Sequence, residues 1–173
     1  TEIAALPAAV EVAAVDGLST LVLNGTSNYF FNGYFRDDGG QIELWKTGVG
    51  TQAFGGTWIN YTGPTRVTGG MLVLTNNDDT WTSGYDISSG ATVMVYRDGG
   101  ATYEHQYNGF VLSGAGTLEK TGVGLMEMNY DSDSTVRMSS GAVIAVKAGM
   151  LRLGWGNRSN WASNRSDLNI VAG

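Results

Sequence analysis

The string Lys46-Thr47-Gly48-Val49-Gly50 recurs without change further along the chain as Lys120-Thr121-Gly122-Val123-Gly124. Self-similarity at a fixed spacing is the sequence signature of a repeat architecture. The residues before the first copy, Ile42-Glu43-Leu44, alternate apolar and polar with period 2, which is typical of a β-strand with one buried face. The string predicts an internal duplication of short strands and glycine-bearing corners.

Four more landmarks recur in the same order, at offsets that drift slightly because insertions are tolerated in loops. They are Asn32-Gly33 with Asn108-Gly109, Gly70–Leu74 with Gly149–Leu153, Trp81 with Trp161, and Asp86–Gly90 with Asn169–Gly173. The duplication predicts two copies, residues 17–90 and 91–173, in one continuous solenoid domain. Residues 1–16 are predicted to form an N-terminal apolar arm or a capping strand.

The composition fits a glycine-rich β-protein with a core. Of the 173 residues, 42% are hydrophobic and 15% charged, and 26 are Gly. The net charge of −6 disfavours nucleic acids and anionic membranes as partners, and no apolar stretch reaches the roughly 20 residues of a membrane helix. There is no Cys, which excludes a disulfide-stapled domain. The sequence starts at Thr1 without a basic signal segment, so we expect any targeting signal to have been removed.

Local patterns alone favour two folds equally. Asn-Gly pairs and strands spaced about 8–12 residues apart fit an antiparallel β-sandwich. Short strands with glycine corners that repeat along the chain fit a β-helix as well. Only the pattern of residues 3–15 is compatible with a helix, and Val10-Glu11-Val12 in that segment also fits a strand.

The first copy resembles the autotransporter-associated (passenger-associated) β-strand repeat. The resemblance rests on the Leu-x-Lys-x-Gly-x-Gly segment at Leu44–Gly50, the Tyr-x-Gly-x-Thr segment at Tyr61–Thr65 and the Gly-x-Leu-x-Leu close at Gly70–Leu74. The second copy keeps the first and third segments, but its middle, residues 129–135, departs from the pattern. The resemblance covers about residues 18–173.

This resemblance implies an all-β, right-handed parallel β-helix on the surface of a Gram-negative bacterium. At roughly 20–25 residues per coil, the chain would form about seven coils. Repeats of this kind are scaffolding in the family, so the resemblance transfers no catalytic residues and no cofactor.

The titratable residues give no catalytic or metal constellation. His105 is the only His, which rules out a multi-His metal site, and we interpret it as a structural or surface position of the repeat. Acidic pairs such as Asp131 with Asp133, and the run Asn76–Asp79, offer oxygen ligands for Ca²⁺ but lack the spacing of an EF-hand. We therefore interpret them as solvated turns and predict no enzyme activity, no metal and no cofactor.

Three tryptophans in polar loops are candidate ligand residues. Trp81, Trp155 and Trp161 follow the Met-Leu strands and are surrounded by Asn, Ser and Gly, a setting in which an indole stacks on a sugar. Trp81 and Trp161 are repeat equivalents, which favours a role in covering coils. Trp155 has no counterpart and is the better candidate.

The ends of the repeat suggest assembly. The second copy reaches Gly173 where another copy would begin, which predicts either a longer chain or head-to-tail stacking of subunits. The apolar arm would then cover a neighbouring coil by strand addition. The residues that we assign to this contact are Ile3, Leu6, Val10, Val12, Ile170 and Val171.

Together these features predict a non-catalytic extracellular structural or adhesive β-helix, either a surface-protein segment or a fibre subunit. The alternative is a carbohydrate-binding module that uses the loop tryptophans to bind a surface glycan. A polysaccharide-cleaving enzyme ranks third, since no acid and base set accompanies the fold.

Overall fold

The fold is known from a computed structural model, which describes residues 11–55, 59–75, 82–99, 102–105, 110–128, 134–152 and 159–171. These residues form β-strands and turns, and no helix among them is long and apolar enough to cross a membrane. In chain order the strands are β1 Glu11–Ala14, β2 Leu18–Leu23, β3 Tyr29–Phe31, β4 Tyr34–Asp37, β5 Gln41–Lys46, β6 Thr51–Phe54, β7 Ile59–Asn60, β8 Thr65–Val67, β9 Met71–Leu74, β10 Gly84–Ile87, β11 Thr92–Tyr96, β12 Thr102–His105, β13 Phe110–Gly114, β14 Thr117–Thr121, β15 Leu125–Met128, β16 Ser134–Met138, β17 Val143–Val146, β18 Met150–Arg152, β19 Ser159–Asn160 and β20 Asp167–Ile170.

The strands stack as a parallel β-solenoid. Face 1 is a seven-stranded sheet of β2, β5, β8, β10, β13, β16 and β19, and face 2 is a seven-stranded sheet of β3, β6, β9, β11, β14, β17 and β20. Face 3 holds two smaller sheets, β1-β4-β7 and β12-β15-β18. All ladders between the described strands are parallel, for example β2 with β5 and β11 with β14. The predicted parallel solenoid is therefore confirmed, and the antiparallel sandwich is wrong.

Successive strands of one face are one coil apart, and the coils differ in length. A short coil separates the register partners Thr65 and Tyr85, and a longer one separates Gly84 and Val111. Five coils have a described strand on all three faces, slightly fewer than the seven predicted. The third coil has the described strands β8 and β9 only, and the last coil has the described strands β19 and β20 only.

The core consists of inward-facing side chains stacked from coil to coil. Leu72, Val93, Leu118 and Ile144 occupy one row of face 2 and are all fully buried. Burial of one such side chain stabilises the fold by about 1.5–3 kcal/mol. In the first copy the core is aromatic, and the ring of Phe35 packs 5.7 Å from that of Phe54 and 4.8 Å from that of Tyr61.

The duplicated glycine string forms a tight corner that the next coil packs against. Gly70, with φ of 62°, lies directly over the first string, and a Cβ at this position would be 2.2 Å from the carbonyl oxygen of Gly50. Gly149, with φ of 74°, lies over the second string, where a Cβ would be 2.4 Å from the oxygen of Gly122. Only glycine combines this conformation with such a close approach of two backbones.

The two copies of the repeat lie on different faces of the solenoid. Lys46 belongs to β5 on face 1, whereas Lys120 belongs to β14 on face 2. The Gly-Met-Leu segment at the end of each copy differs in the same way: it belongs to β9 on face 2 in the first copy and to β18 on face 3 in the second. The second copy is thus displaced by three coils and one face. This is possible because every face needs the same unit, a short strand followed by a tight corner.

A pair of glycine substitutions tests the corner packing. Both Gly70 and Gly90 have positive φ, but a Cβ at Gly90 would have no atom within 4 Å. Each Ala variant should lose roughly 1–2 kcal/mol through the left-handed conformation. Gly70→Ala should lose at least about 1 kcal/mol more, because its methyl group overpacks the corner. Urea unfolding measures the difference, and equal midpoints for the two variants would refute the corner model.

Candidate binding surface

The lysine of the duplicated string is buried inside a corner and bonded to backbone carbonyls. Lys46 Nζ donates to the carbonyl oxygen of Gly48 in its own coil and, at 3.1 Å, to that of Gly69 in the next coil. Lys120 Nζ donates to Gly122 O at 2.7 Å and to Ala148 O, again in the next coil, at 3.2 Å. The contacts are equivalent in the two copies.

Both lysines are almost completely removed from solvent. Burial lowers the pKa of Lys46 below its ordinary value. Burial also lowers the pKa of Lys120, with a smaller contribution from the positive charge of Arg97. A lowered lysine pKa often marks a nucleophile or base, but here the nitrogens are enclosed and use their hydrogen bonds on corner carbonyls. Both lysines therefore hold adjacent coils together.

Some polar residues in and near the repeat segments are likewise used between coils. The carboxylate of Asp37 accepts hydrogen bonds from Ile42 N at 2.8 Å and from Thr62 N at 2.9 Å, so it connects two coils. In the Tyr-x-Gly-x-Thr segment, the hydroxyls of Thr65 and Thr82 are 3.0 Å apart, and Thr82 donates to Gly63 O at 2.8 Å. These groups satisfy buried backbone atoms, as buried polar side chains generally do.

An open groove of about 360 Å³ lies on the outer surface of face 1. Gly84 of β10 is one of the residues that line it. Its walls include Pro64, Arg66, Asp86, Val111, Ser113 and Arg137. We call this feature the face 1 groove.

The charged residues of the groove form one outward row. Arg66, Asp86, Ser113 and Arg137 are register partners on four successive coils. With strands about 4.8 Å apart, the two guanidinium groups project from positions about 14 Å apart along the axis. Arg66 is fixed at the near end: its Nε donates to Glu43 at 2.9 Å, and its guanidinium lies 5.4 Å from the ring centre of Trp45.

The three predicted ligand tryptophans do not form a common site within the described residues. Trp81 and Trp155 lie outside the described ranges. Trp161 follows β19 and is partly buried, packed against the core cluster. This packing favours a role of Trp161 in covering a coil, and sugar stacking by the loop tryptophans stays a prediction.

The residues assigned to assembly lie at opposite ends of the chain. Ile3, Leu6 and Val10 are outside the described ranges, and the backbone of Val12 pairs with Phe35 through β1 and β4. The end of the predicted arm thus belongs to the solenoid of its own chain.

Ile170 and Val171 are 67% and 52% exposed on the last coil. Their exposure fits the predicted contact but does not test it.

No cluster of three or more His, Cys, Asp or Glu that could hold a metal ion occurs in the described part of the chain. The candidate Ca²⁺ ligands at residues 76–79 and 131–133 lie outside it, as do the side chains of residues 102–105, which include His105.

The face 1 groove was not predicted from the sequence. Its residues come from separate coils and form no contiguous motif, and they become neighbours only through coils of unequal length. The nearest sequence signal is a charged residue between β-branched or apolar neighbours, in Thr65–Val67 and in Tyr85–Ile87.

Comparison of the chain with protein-family models, with curated proteins and with solved structures found no match. The likeness to the autotransporter-associated repeat therefore rests on the sequence segments alone.

Replacement of a corner lysine tests its role between coils. Lys46→Met should lower the free energy of unfolding by about 2 kcal/mol, because a buried carbonyl left without a donor costs about 1–3 kcal/mol. Arg165→Met is the control: this side chain is exposed, and a substitution at an exposed position usually changes the free energy of unfolding by under about 0.5 kcal/mol. Equal losses in urea unfolding would contradict the bridging role.

The same lysines should make stability depend on alkaline pH. Their pKa is lowered from 10.5 in the folded state, so between the lowered value and 10.5 the unfolded chain binds more protons. The free energy of unfolding should therefore rise with pH in that interval, relative to a Lys46→Met/Lys120→Met double variant. The raised pKa of Tyr96 acts in the opposite sense but is common to both proteins. A difference that stays constant or falls up to pH 10.5 would contradict the expectation.

Proposed function

We propose that this protein is a non-catalytic structural β-solenoid of the cell surface or extracellular space, which extends by stacking end to end or within a longer chain. The surface location and the adhesive or fibre role rest on the resemblance of the repeat segments to passenger-associated repeats. The absence of catalysis is supported by the use of the repeat's lysines, Asp37 and Thr82 in bonds between coils.

The observation that carries the proposal is the exposure of inward-facing apolar side chains on the last described strand. Leu168 and Ile170 of β20 face the solenoid axis, since they are register partners of the core residues Ile144 and Val146. They are nevertheless 55% and 67% exposed, whereas Ile144 is 1% exposed. An apolar row that is buried on one coil and uncovered on the next supports association with a further coil.

The unpaired edge of this strand also favours association with a further coil. Within the described strands, β20 pairs with β17 alone, and at the opposite end β3 pairs with β6 alone. An edge with unpaired N–H and C=O groups is a template for another strand. A second copy stacked head to tail would pair such edges and bury the apolar row in a heterologous contact, which propagates as a filament.

Charge placed on the axial row should prevent this assembly. The intact chain is expected to show a sedimentation coefficient that rises with concentration and filaments by electron microscopy. Ile170→Lys should leave a folded monomer, since an ammonium group would be buried in the junction. Asn169→Lys is the matched control, because Asn169 lies on the same strand but faces outward.

Two results would overturn the stacking proposal. One is an intact chain that stays monomeric at every concentration. The other is an Ile170→Lys variant that assembles as readily as Asn169→Lys. Circular dichroism and urea unfolding of both variants separate loss of assembly from loss of folding.

A further inference from the structure

The face 1 groove has no part in the proposed assembly, since it lies on the side of the solenoid and not at its ends. Gly84, which has no side chain, is part of its lining. Pro64 and Val111 flank Gly84 in the wall of the groove, and a Cβ at Gly84 would be 2.1 Å from the carbonyl oxygen of Val111. Close backbone approach therefore restricts this position to glycine.

The side chains along the groove include cations, a carboxylate and a hydroxyl group. Arg66 and Arg137 stand at the two ends of the row, with Asp86 and Ser113 between them. Ser113 Oγ is 3.5 Å from Asp86 Oδ1, so the two are too loosely bonded to satisfy each other fully. In the described part of the chain, no ion pair involves Asp86 or Arg137.

These groups are complementary to a polyhydroxylated anion. Guanidinium groups bind carboxylates with two parallel hydrogen bonds. Arg66 is already paired with Glu43 through its Nε, whereas Arg137 has no ion pair among the described residues. Asp86 can accept hydrogen bonds from hydroxyls, and Ser113 can donate and accept them. At the near end, the indole of Trp45 is 37% exposed and offers a flat apolar surface beside Arg66.

A peptide is a poorer match to the same surface. Extended peptides gain much of their affinity by adding a strand to a sheet edge. The groove lies in the middle of face 1, where β10 is hydrogen-bonded to β8 on one side and to β13 on the other. The backbone is therefore used within the sheet, and recognition must come from side chains.

We propose that the face 1 groove binds a linear carboxylated polysaccharide, with the sugar chain running along the solenoid axis from Trp45 towards Arg137. Sugar carboxylates pair with Arg66 and Arg137, and hydroxyl groups bond to Asp86 and Ser113. The side of the solenoid thus supplies a glycan contact that is separate from the end-to-end contact.

Isothermal titration with an alginate hexasaccharide tests the proposal on the full chain. Arg137→Gln and Arg66→Gln are each expected to raise the Kd at least tenfold, and added salt should weaken binding by screening. Ser113→Tyr fills the groove without altering an inward position and should abolish binding. Arg36→Gln, on face 3 in an exposed pair with Asp38, should leave the Kd unchanged. Urea midpoints confirm that each variant is folded.

Each remaining outcome decides against the proposal. No binding of alginate, or equal binding of neutral maltohexaose, would remove the case for a carboxylated glycan. Oligoglutamate that binds as tightly as alginate, with the same dependence on Arg137, would reassign the groove to acidic peptides. Unchanged binding in Ser113→Tyr would place the ligand elsewhere. Sedimentation of the same variants reports on assembly independently, so the two proposals fail separately.

Discussion

The structure depends on the close stacking of one glycine-bearing corner over another. At both copies of the repeated string, backbones of successive coils approach within a distance that no Cβ allows, and a buried ammonium group closes the corner by donating to carbonyls of both coils. Tight turns expose carbonyl groups that the strand ladders cannot satisfy, and such groups are costly when buried. The lysine supplies donors at these sites, which explains why a charged residue is repeated at a position enclosed by core.

This corner is independent of the face on which it lies. The first string turns from face 1 to face 2, and the second turns from face 2 to face 3. A duplication of the sequence therefore need not contain a whole number of coils. It must contain a whole number of strand-and-corner units, because on every face a strand points alternate side chains into the core. The loops between units absorb the difference in length, and the coils are unequal as a result.

The candidate binding surfaces differ in whether they can be predicted from the sequence. Ile170 and Val171 were assigned to an end-to-end contact because the second copy ends where another would begin; both are exposed, and the contact itself stays a prediction. The groove on face 1 was not anticipated, since its charged residues lie far apart in the chain and form no contiguous motif. The loop tryptophans were singled out for a setting rich in Asn and Ser, yet Trp161 packs against the core. Polar neighbours in sequence do not determine whether an indole is solvated.

The sequence by itself determined the duplication, the short alternating strands and the glycine corners, because these follow from local rules of side-chain alternation and backbone conformation. It left the choice between antiparallel and parallel pairing open, since both use the same strands. Only the tertiary structure decided that choice, the face on which each copy lies and the neighbours of each outward residue. These depend on the register between strands about one coil apart, and a loop of unpredicted length separates every such pair. A difference of one residue in that register would move a side chain from the groove to the core.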